Sequence, residues 1–200
     1  LPLFLIAAIF LFGGSFSKKP LSSPVPLRFA MIQRNFPSVF ETDRKEDPLQ
    51  VYTKLFDSVA HAAPDVLVLG ESAMSEFGML DSMQVERFAK FALSRTGAKY
   101  LVAGGSRAEK GRVYNSAILY SVPGIKQYYD KVHLVPFGEF IPFDKTFTFL
   151  QSFAPVGTCY PGEPKILDIN GRQVGIAICF EDTDSALIRK FASLGADALV

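Results

Sequence analysis

The hydrophobic residues of the chain recur with two periods, and each period predicts a different kind of element. Stretches with an apolar residue at every third or fourth position predict amphipathic helices at 48–62 and 85–93. Short, nearly continuous apolar runs predict buried strands, and these runs lie at 27–33, 66–69, 100–103, 173–178 and 196–200. Helices that alternate with buried strands indicate a mixed α/β domain in which helices cover a sheet.

Two turns predict hairpins within this pattern. Val122-Pro123-Gly124 separates candidate strands at 114–120 and 126–129. Asn170-Gly171 separates a candidate strand at 164–169 from the one at 173–178. Asn-Gly is the strongest short hairpin signal in the chain, because both residues tolerate the positive φ angles of a tight turn.

The two ends of the chain differ from this alternating region. Leu1–Phe12 is apolar and uncharged but shorter than the roughly 20 residues that span a bilayer. It predicts either the end of a truncated transmembrane helix or a hydrophobic segment buried in a partner. Residues 13–26 are rich in Gly, Ser and Pro, which is typical of a linker. We therefore expect a domain at 27–200. Because the chain starts without Met and stops within a candidate strand, we expect a fragment whose domain is incomplete at its C-terminus.

Composition narrows the classes of function. The net charge of +1 and the lack of a basic cluster give no support for nucleic acid as a partner. The two cysteines, Cys159 and Cys179, permit either one disulfide or two free thiols, and Cys159 is expected to have no chemical role. The two His and two Cys residues show no metal-ligand spacing, so neither a metal nor a cofactor is expected.

The stretch at 175–182 carries a cysteine to the end of an apolar run. Glu181, Asp182 and Asp184 follow Cys179 and are predicted to open a helix, since acidic residues suit the positive end of a helix dipole. A thiol on such a strand-to-helix turn lies near backbone N–H groups, which favour a thiolate and can hold a negative oxygen. The alternative is a buried structural cysteine.

Three predicted strand ends present reactive groups, namely Glu71, Lys131 and Cys179. In α/β folds, functional groups gather at the carboxyl ends of strands. A carboxylate that takes the thiol proton, a thiolate that attacks a carbonyl and an ammonium that stabilises the oxyanion make a coherent set. The alternatives are a helix-capping role for Glu71 and a solvated surface position for Lys131. His133, close by in an apolar context, is expected to be structural rather than catalytic.

Four segments resemble the nitrilase superfamily of carbon–nitrogen hydrolases. The most specific is the run from Tyr129 to Pro142, which reads YDKVHLVPFGEFIP and is similar to the form found in apolipoprotein N-acyltransferases. The cysteine block from Val174 to Glu181 is similar to the nucleophile strand of the same superfamily. The segments at 104–107 and 114–117, which read GGSR and YNSA, also resemble the acyltransferases. The family usually has Trp-Pro before its glutamate, where this chain has Leu69-Gly70, and Glu76 is the nearest other carboxylate.

The resemblance implies a nitrilase-like α-β-β-α sandwich with Glu71, Lys131 and Cys179 as a catalytic triad. It implies that Glu139 is a second active-site glutamate, which assists the lysine or the substrate carbonyl. Phe180 and Glu181 are implied to shape the pocket next to the nucleophile.

The resemblance also implies a reaction and its partners. The family takes a fatty acyl group from a phospholipid, holds it as a cysteine thioester, and passes it to the N-terminal amine of diacylglyceryl-cysteine in an apolipoprotein. It implies a place at the bacterial inner membrane, with the catalytic domain on the periplasmic side and with transmembrane helices that this chain lacks. Two alternatives remain at this point: a soluble amidase that hydrolyses a small carbon–nitrogen substrate with the same triad, and a non-catalytic scaffold.

Overall fold

A computed structural model describes residues 26–33, 47–74, 82–143 and 159–200. Within these ranges the chain forms strands, α-helices and one short 3-10 helix. In chain order they are β1 (Phe29–Ile32), α1 (Pro48–Ala60), β2 (Val66–Leu69), α2 (Ser82–Thr96), β3 (Tyr100–Glu109), β4 (Arg112–Ser121), β5 (Gly124–Asp130), β6 (Ile166–Ile169), β7 (Arg172–Gly175), the 3-10 helix (Cys179–Thr183), α3 (Ser185–Leu194) and β8 (Ala198–Leu199).

The strands form two sheets. The first has five strands in the order β1-β2-β3-β4-β5, in which β1, β2 and β3 are parallel and the remaining pairs are antiparallel. The second has three strands in the order β6-β7-β8, with β6 antiparallel and β8 parallel to β7. The two predicted hairpins are therefore β4-β5 and β6-β7.

The alternation of side chains along β2 and β3 separates two hydrophobic cores. Leu67 and Leu101 point to the face covered by α1 and α2, where they join the buried rings of Tyr52 and Phe56. Val66 and Val102 point to the opposite face, where the second sheet and α3 contribute a buried set of their own, Leu167, Ile169, Val174, Leu187 and Phe191. The layers are helix, sheet, sheet and helix, as predicted.

Several element boundaries differ from the predictions, most clearly around Cys179. The strand expected to reach Ile178 ends at Gly175, and the chain continues extended to Cys179, with Ala177 N–H donating to Val200 O at 2.9 Å. The expected helix does not start at Glu181, which lies in the 3-10 helix. It begins at Ser185, because the Asp184 side chain caps it by accepting the Ala186 and Leu187 N–H groups.

The predicted membrane segment at Leu1–Phe12, nearly all of the predicted linker and Glu76 lie outside the described residues. Among the residues that are described, no helix is both long enough and apolar enough to cross a bilayer.

Candidate active site

Lys131 follows the last residue of β5 and is buried between two carboxylates. Its side chain is 1% exposed, and its backbone N–H donates to Asn115 O at 2.8 Å, which extends the β4-β5 pairing by one residue. The Lys131 Nζ lies 2.9 Å from Glu139 Oε2, 3.1 Å from Glu139 Oε1 and 3.8 Å from Glu71 Oε1. Lys131 is therefore not the solvated surface lysine of the alternative interpretation.

The surroundings of Lys131 keep its ammonium charged. Burial by itself lowers the pKa of Lys131, but the hydrogen bond and charge of Glu139, with smaller contributions from Glu71 and Cys179, outweigh burial and raise that pKa above its usual value. The Glu139 carboxyl shows the reciprocal effect. Burial raises its pKa, but hydrogen bonds from Asn115, the Val135 N–H and Lys131 hold the pKa below its usual value. Lys131 and Glu139 thus form a charged pair rather than a neutral one.

Glu71 lies in the turn that follows β2, and a glycine on β3 permits its position. A Cβ atom on Gly104 would lie 2.6 Å from Glu71 Cα and 2.8 Å from Gly70 O, so a side chain at this point would push the turn away. Among the described residues, Glu71 caps no helix. Its Oε1 accepts from Asn115 Nδ2 at 2.6 Å and faces Lys131.

Cys179 is the first residue of the 3-10 helix and has an exposed thiol. Its φ angle is +56°, a left-handed conformation that costs a residue with a side chain on the order of 1–3 kcal/mol. Cys179 and Glu71 line the same cavity, of about 290 Å³, together with Gly104 and Ile178. The turn therefore presents the thiol to the cavity that Glu71 also lines.

Glu181 is 1% exposed and joins the Lys131 loop to the Cys179 turn. It accepts hydrogen bonds from the Val132, His133 and Ile178 N–H groups at 2.7, 3.1 and 2.9 Å, and from the Tyr129 hydroxyl at 3.0 Å. Glu181 lies in the first turn of a helix, as expected, but this is the 3-10 helix, and backbone N–H groups of a second segment also donate to its carboxylate. The Glu181 carboxylate therefore links the segment after Lys131 to the segment before Cys179.

Phe180 and His133 lie away from the cavity in front of Cys179. The Phe180 side chain is 71% exposed and lines a second groove, of about 620 Å³, which also includes His133 and Asp184. The His133 Nδ1 pairs with the Asp184 carboxylate at the start of α3. This pairing gives His133 a structural partner.

Cys159 is a free thiol, as is Cys179, so the disulfide alternative is wrong. The backbone N–H of Cys159 donates to the backbone oxygen of Glu139 at 2.7 Å, so Cys159 is a neighbour of Glu139. Burial, followed by the charge of Glu139, raises the pKa of the Cys159 thiol, so this sulfur is held in its unreactive protonated form.

Asn115 is the residue of this cluster to which the sequence patterns assign no role. Its Nδ2 lies 2.6 Å from an oxygen of Glu71 and 2.6 Å from an oxygen of Glu139. The signal that could have found it is the hairpin register, since Ser116 pairs with Asp130 and this places Asn115 beside Lys131. The apolar pattern of β4, with buried Ala117 and Leu119, gives no reason for an amide at position 115.

Comparison with known proteins places the chain in a family. The family model described as carbon-nitrogen hydrolase matches residues 47–200. The chain belongs to the carbon-nitrogen hydrolase family. The amidase from Nesterenkonia sp. AN1 has the same fold, with a TM-score of 0.56 at 21% identity over 88% of this chain and 66% of the amidase chain. The predicted nitrilase-like fold is thus confirmed.

Within this family, the sequence is similar to apolipoprotein N-acyltransferases. The enzyme of that name from Geobacter metallireducens is 31% identical over 185 residues, which are 88% of this chain and 35% of the relative. The one from Aquifex aeolicus is 27% identical over 82% of this chain and 38% of the relative. The resemblance that the sequence motifs predicted is confirmed. The chain spans little more than a third of the length of these curated relatives.

Proposed function

We propose that residues 27–200 are the catalytic region of an apolipoprotein N-acyltransferase. It moves a fatty acyl group from a phospholipid through a Cys179 thioester to the N-terminal amine of a diacylglyceryl-modified apolipoprotein. The observation that carries this proposal is that Glu71 and the exposed Cys179 thiol line one cavity, while the buried Lys131 ammonium lies between Glu71 and Glu139. The names of the similar relatives supply the substrate class.

In the first half-reaction, the Glu71 carboxylate takes the proton of the Cys179 thiol, and the thiolate attacks the ester carbonyl of the acyl donor. The Lys131 ammonium stabilises the oxyanion of the tetrahedral intermediate. The C–O bond to the glycerol then breaks, and the departing alkoxide takes the proton from Glu71. The products are a lysophospholipid and the Cys179 acyl-thioester.

In the second half-reaction, the neutral α-amine of the apolipoprotein attacks the thioester carbonyl. Glu71 takes a proton from the attacking nitrogen, the oxyanion again lies against Lys131, and the C–S bond breaks. The thiolate then recovers the proton from Glu71. The product is an amide, and the enzyme returns to its starting state.

Glu139 and Glu181 support this chemistry without taking the transferred proton. Glu139 contacts Lys131 at 2.9 Å and keeps it an ammonium. Glu181 holds the Lys131 loop against the Cys179 turn through the N–H groups of both segments. Phe180, which follows Cys179 in the chain, lines the neighbouring groove with Leu134 and Pro136, and an acyl chain can lie on that apolar surface.

The substrates of this reaction are lipids, so the proposal includes a location. We infer that the catalytic region is held at the periplasmic face of a bacterial inner membrane. The apolar stretch Leu1–Phe12, the linker that follows it and transmembrane helices outside these 200 residues form the attachment.

The test is transfer to an amine by the full-length protein. With phospholipid and a peptide that begins with diacylglyceryl-cysteine, we expect mass spectrometry to find one added acyl group on the peptide amine. The same incubation with Cys179→Ala should leave the peptide unchanged. Hydrolysis of small aliphatic amides, with no acyl transfer to the peptide, would overturn the proposal in favour of an amidase.

A further inference from the structure

Asn115 contacts both of the carboxylates that lie beside the Lys131 ammonium in the described part of the chain. Its Nδ2 carries two hydrogens, and the two acceptors within reach are Glu71 Oε1 and Glu139 Oε1, each at 2.6 Å. The backbone carbonyl oxygen of Asn115 accepts the backbone N–H of Lys131 at 2.8 Å. One side chain and its own backbone thus join the two carboxylates to the lysine between them.

Two carboxylates that share one donor repel each other, and such pairs tend to retain a proton. The charged and titratable groups that face this pair in the described part of the chain are Lys131, Cys179 and Cys159. Lys131 supplies the single positive charge. The remaining compensation comes from hydrogen bonds, and Asn115 gives one to each carboxylate.

The chemistry of the amide suits this place. Asn115 gives two N–H donors but has no proton that it can release near neutral pH, so it cannot compete with Glu71 as the base. An aspartate of the same shape would remove both donors and add a third negative charge. An alanine would remove both donors and add no charge.

We propose that Asn115 is a positioning residue, which holds Glu71 and Glu139 in register with Lys131 by donating one N–H to each carboxylate. The inference rests on the proposed function, since it assigns Glu71 as the base that must start each half-reaction without its proton. Asn115 does not touch the reacting atoms and acts through Glu71 and Glu139.

The experiment is the pH profile of Cys179 acylation in the full-length protein, measured by rapid quench and intact mass. Two acyl donors are used, a phospholipid and the short activated ester p-nitrophenyl butyrate. The variants are Asn115→Asp and Asn115→Ala. The control is Gln127→Glu, the same exchange of amide for acid on the neighbouring strand, where the amide bonds the Asp168 backbone instead of the site.

We expect the acidic limb of the profile to move to higher pH by about one unit or more in Asn115→Asp, and in the same direction but less in Asn115→Ala. Gln127→Glu should keep the wild-type limb. A limb that stays in place in both Asn115 variants, or a rate that falls equally at every pH, would overturn the inference, because a merely structural role predicts that result. Acylation of the wild type by the activated ester but not by phospholipid would overturn the proposed lipid substrate alone. In that case, the acidic limb of the pH profile measured with p-nitrophenyl butyrate still tests whether Asn115 is a positioning residue.

Discussion

Lys131 is a buried ammonium between Glu71 and Glu139, and at the scale of single residues the site depends on the shape of this cation. A lysine presents a compact charge that two carboxylates can approach from different sides. A guanidinium is planar and wider, and it directs its donors into a fixed fork. Lys131 is only 1% exposed, so the wider guanidinium would have to be placed among buried neighbours.

Lys131→Arg should therefore lower the rate of Cys179 acylation by about a hundredfold or more and lower the melting temperature, although the positive charge is kept. Single-turnover kinetics and a thermal melt of the full-length protein measure the two effects. Lys126→Arg on the exposed part of β5 is the control and should change neither. Wild-type acylation by Lys131→Arg would remove the lysine from its assigned role.

Glu139 gives a prediction on pH. Its carboxyl has a pKa below the usual 4.5 in the folded protein, so it contributes stability at pH values above 4.5 and loses that contribution as the pH falls through the lower, folded value. Replacement by Gln removes the charge at every pH. The free energy of unfolding lost in Glu139→Gln should therefore be largest near neutral pH and should shrink as the pH falls below about 4.5.

Melting curves of wild type and Glu139→Gln between pH 7 and pH 3.5 test this point. Glu163→Gln, at an exposed position near the site, serves as the control and should follow the wild type throughout. If the gap between wild type and Glu139→Gln is the same at every pH, the charge of Glu139 does not contribute to folding in this way.

At the scale of elements, the glycines of β3 determine how closely the turn that carries Glu71 can pack on the sheet. The apolar runs at 66–69 and 100–103 suffice to predict β2 and the start of β3, because parallel buried strands are nearly continuous in hydrophobic residues. They do not predict that β3 continues through Gly104 and Gly105 to Glu109. Those glycines stay in the strand because the Glu71 turn packs directly on them, and that is a tertiary contact.

Gly104→Ala should destabilise the protein by roughly 1–3 kcal/mol and slow acylation, since its Cβ would lie 2.6 Å from Glu71 Cα. Gly70→Ala is a matched control, because a Cβ atom at Gly70 meets nothing within 4 Å. Thermal melts and single-turnover rates should separate the two. Equal behaviour of both alanine variants would show that close packing on Gly104 does not hold the Glu71 turn.

For Asn115 and Cys179 as well, the local sequence predicts only part of the geometry, and the rest depends on contacts with residues distant in the chain. The position of Cys179 after an apolar run predicts a cysteine on a turn, but by itself it leaves open whether that cysteine is a nucleophile or a structural residue. The left-handed φ of Cys179 and the 3-10 helix after it depend on Glu181, whose partners lie some fifty residues earlier in the chain. The role of Asn115 likewise requires the register of β4 and β5, which an apolar pattern alone does not specify.

At the scale of the whole molecule, the site spans both sheets. Glu71 and Lys131 follow strands of the five-stranded sheet, whereas Cys179 follows β7 of the three-stranded one. The distance between base and nucleophile is therefore set by how the two sheets pack. Phe191 of α3 is fully buried in that core, with its ring 5.7 Å from the ring of Tyr129 and in contact range of Gly175.

Phe191→Ala should cost about 3–5 kcal/mol of stability and reduce acylation, because it opens a cavity in the core between the sheets. Leu194→Ala on the same helix removes a side chain that is 41% exposed and should cost less than about 1 kcal/mol. Chemical denaturation of the full-length protein compares the two. A similar cost for both would mean that α3 does not hold the sheets together.

The central claim is that Cys179 carries the acyl group, and intact mass of the full-length protein after incubation with phospholipid tests it most directly. We predict a gain of one fatty acyl group, which hydroxylamine removes as expected for a thioester. The gain should persist in Cys159→Ser, because burial raises the pKa of the wild-type Cys159 thiol and keeps it unreactive, and it should be absent in Cys179→Ala. An acyl adduct that remains in Cys179→Ala, or a wild-type protein that never gains one, would contradict the account.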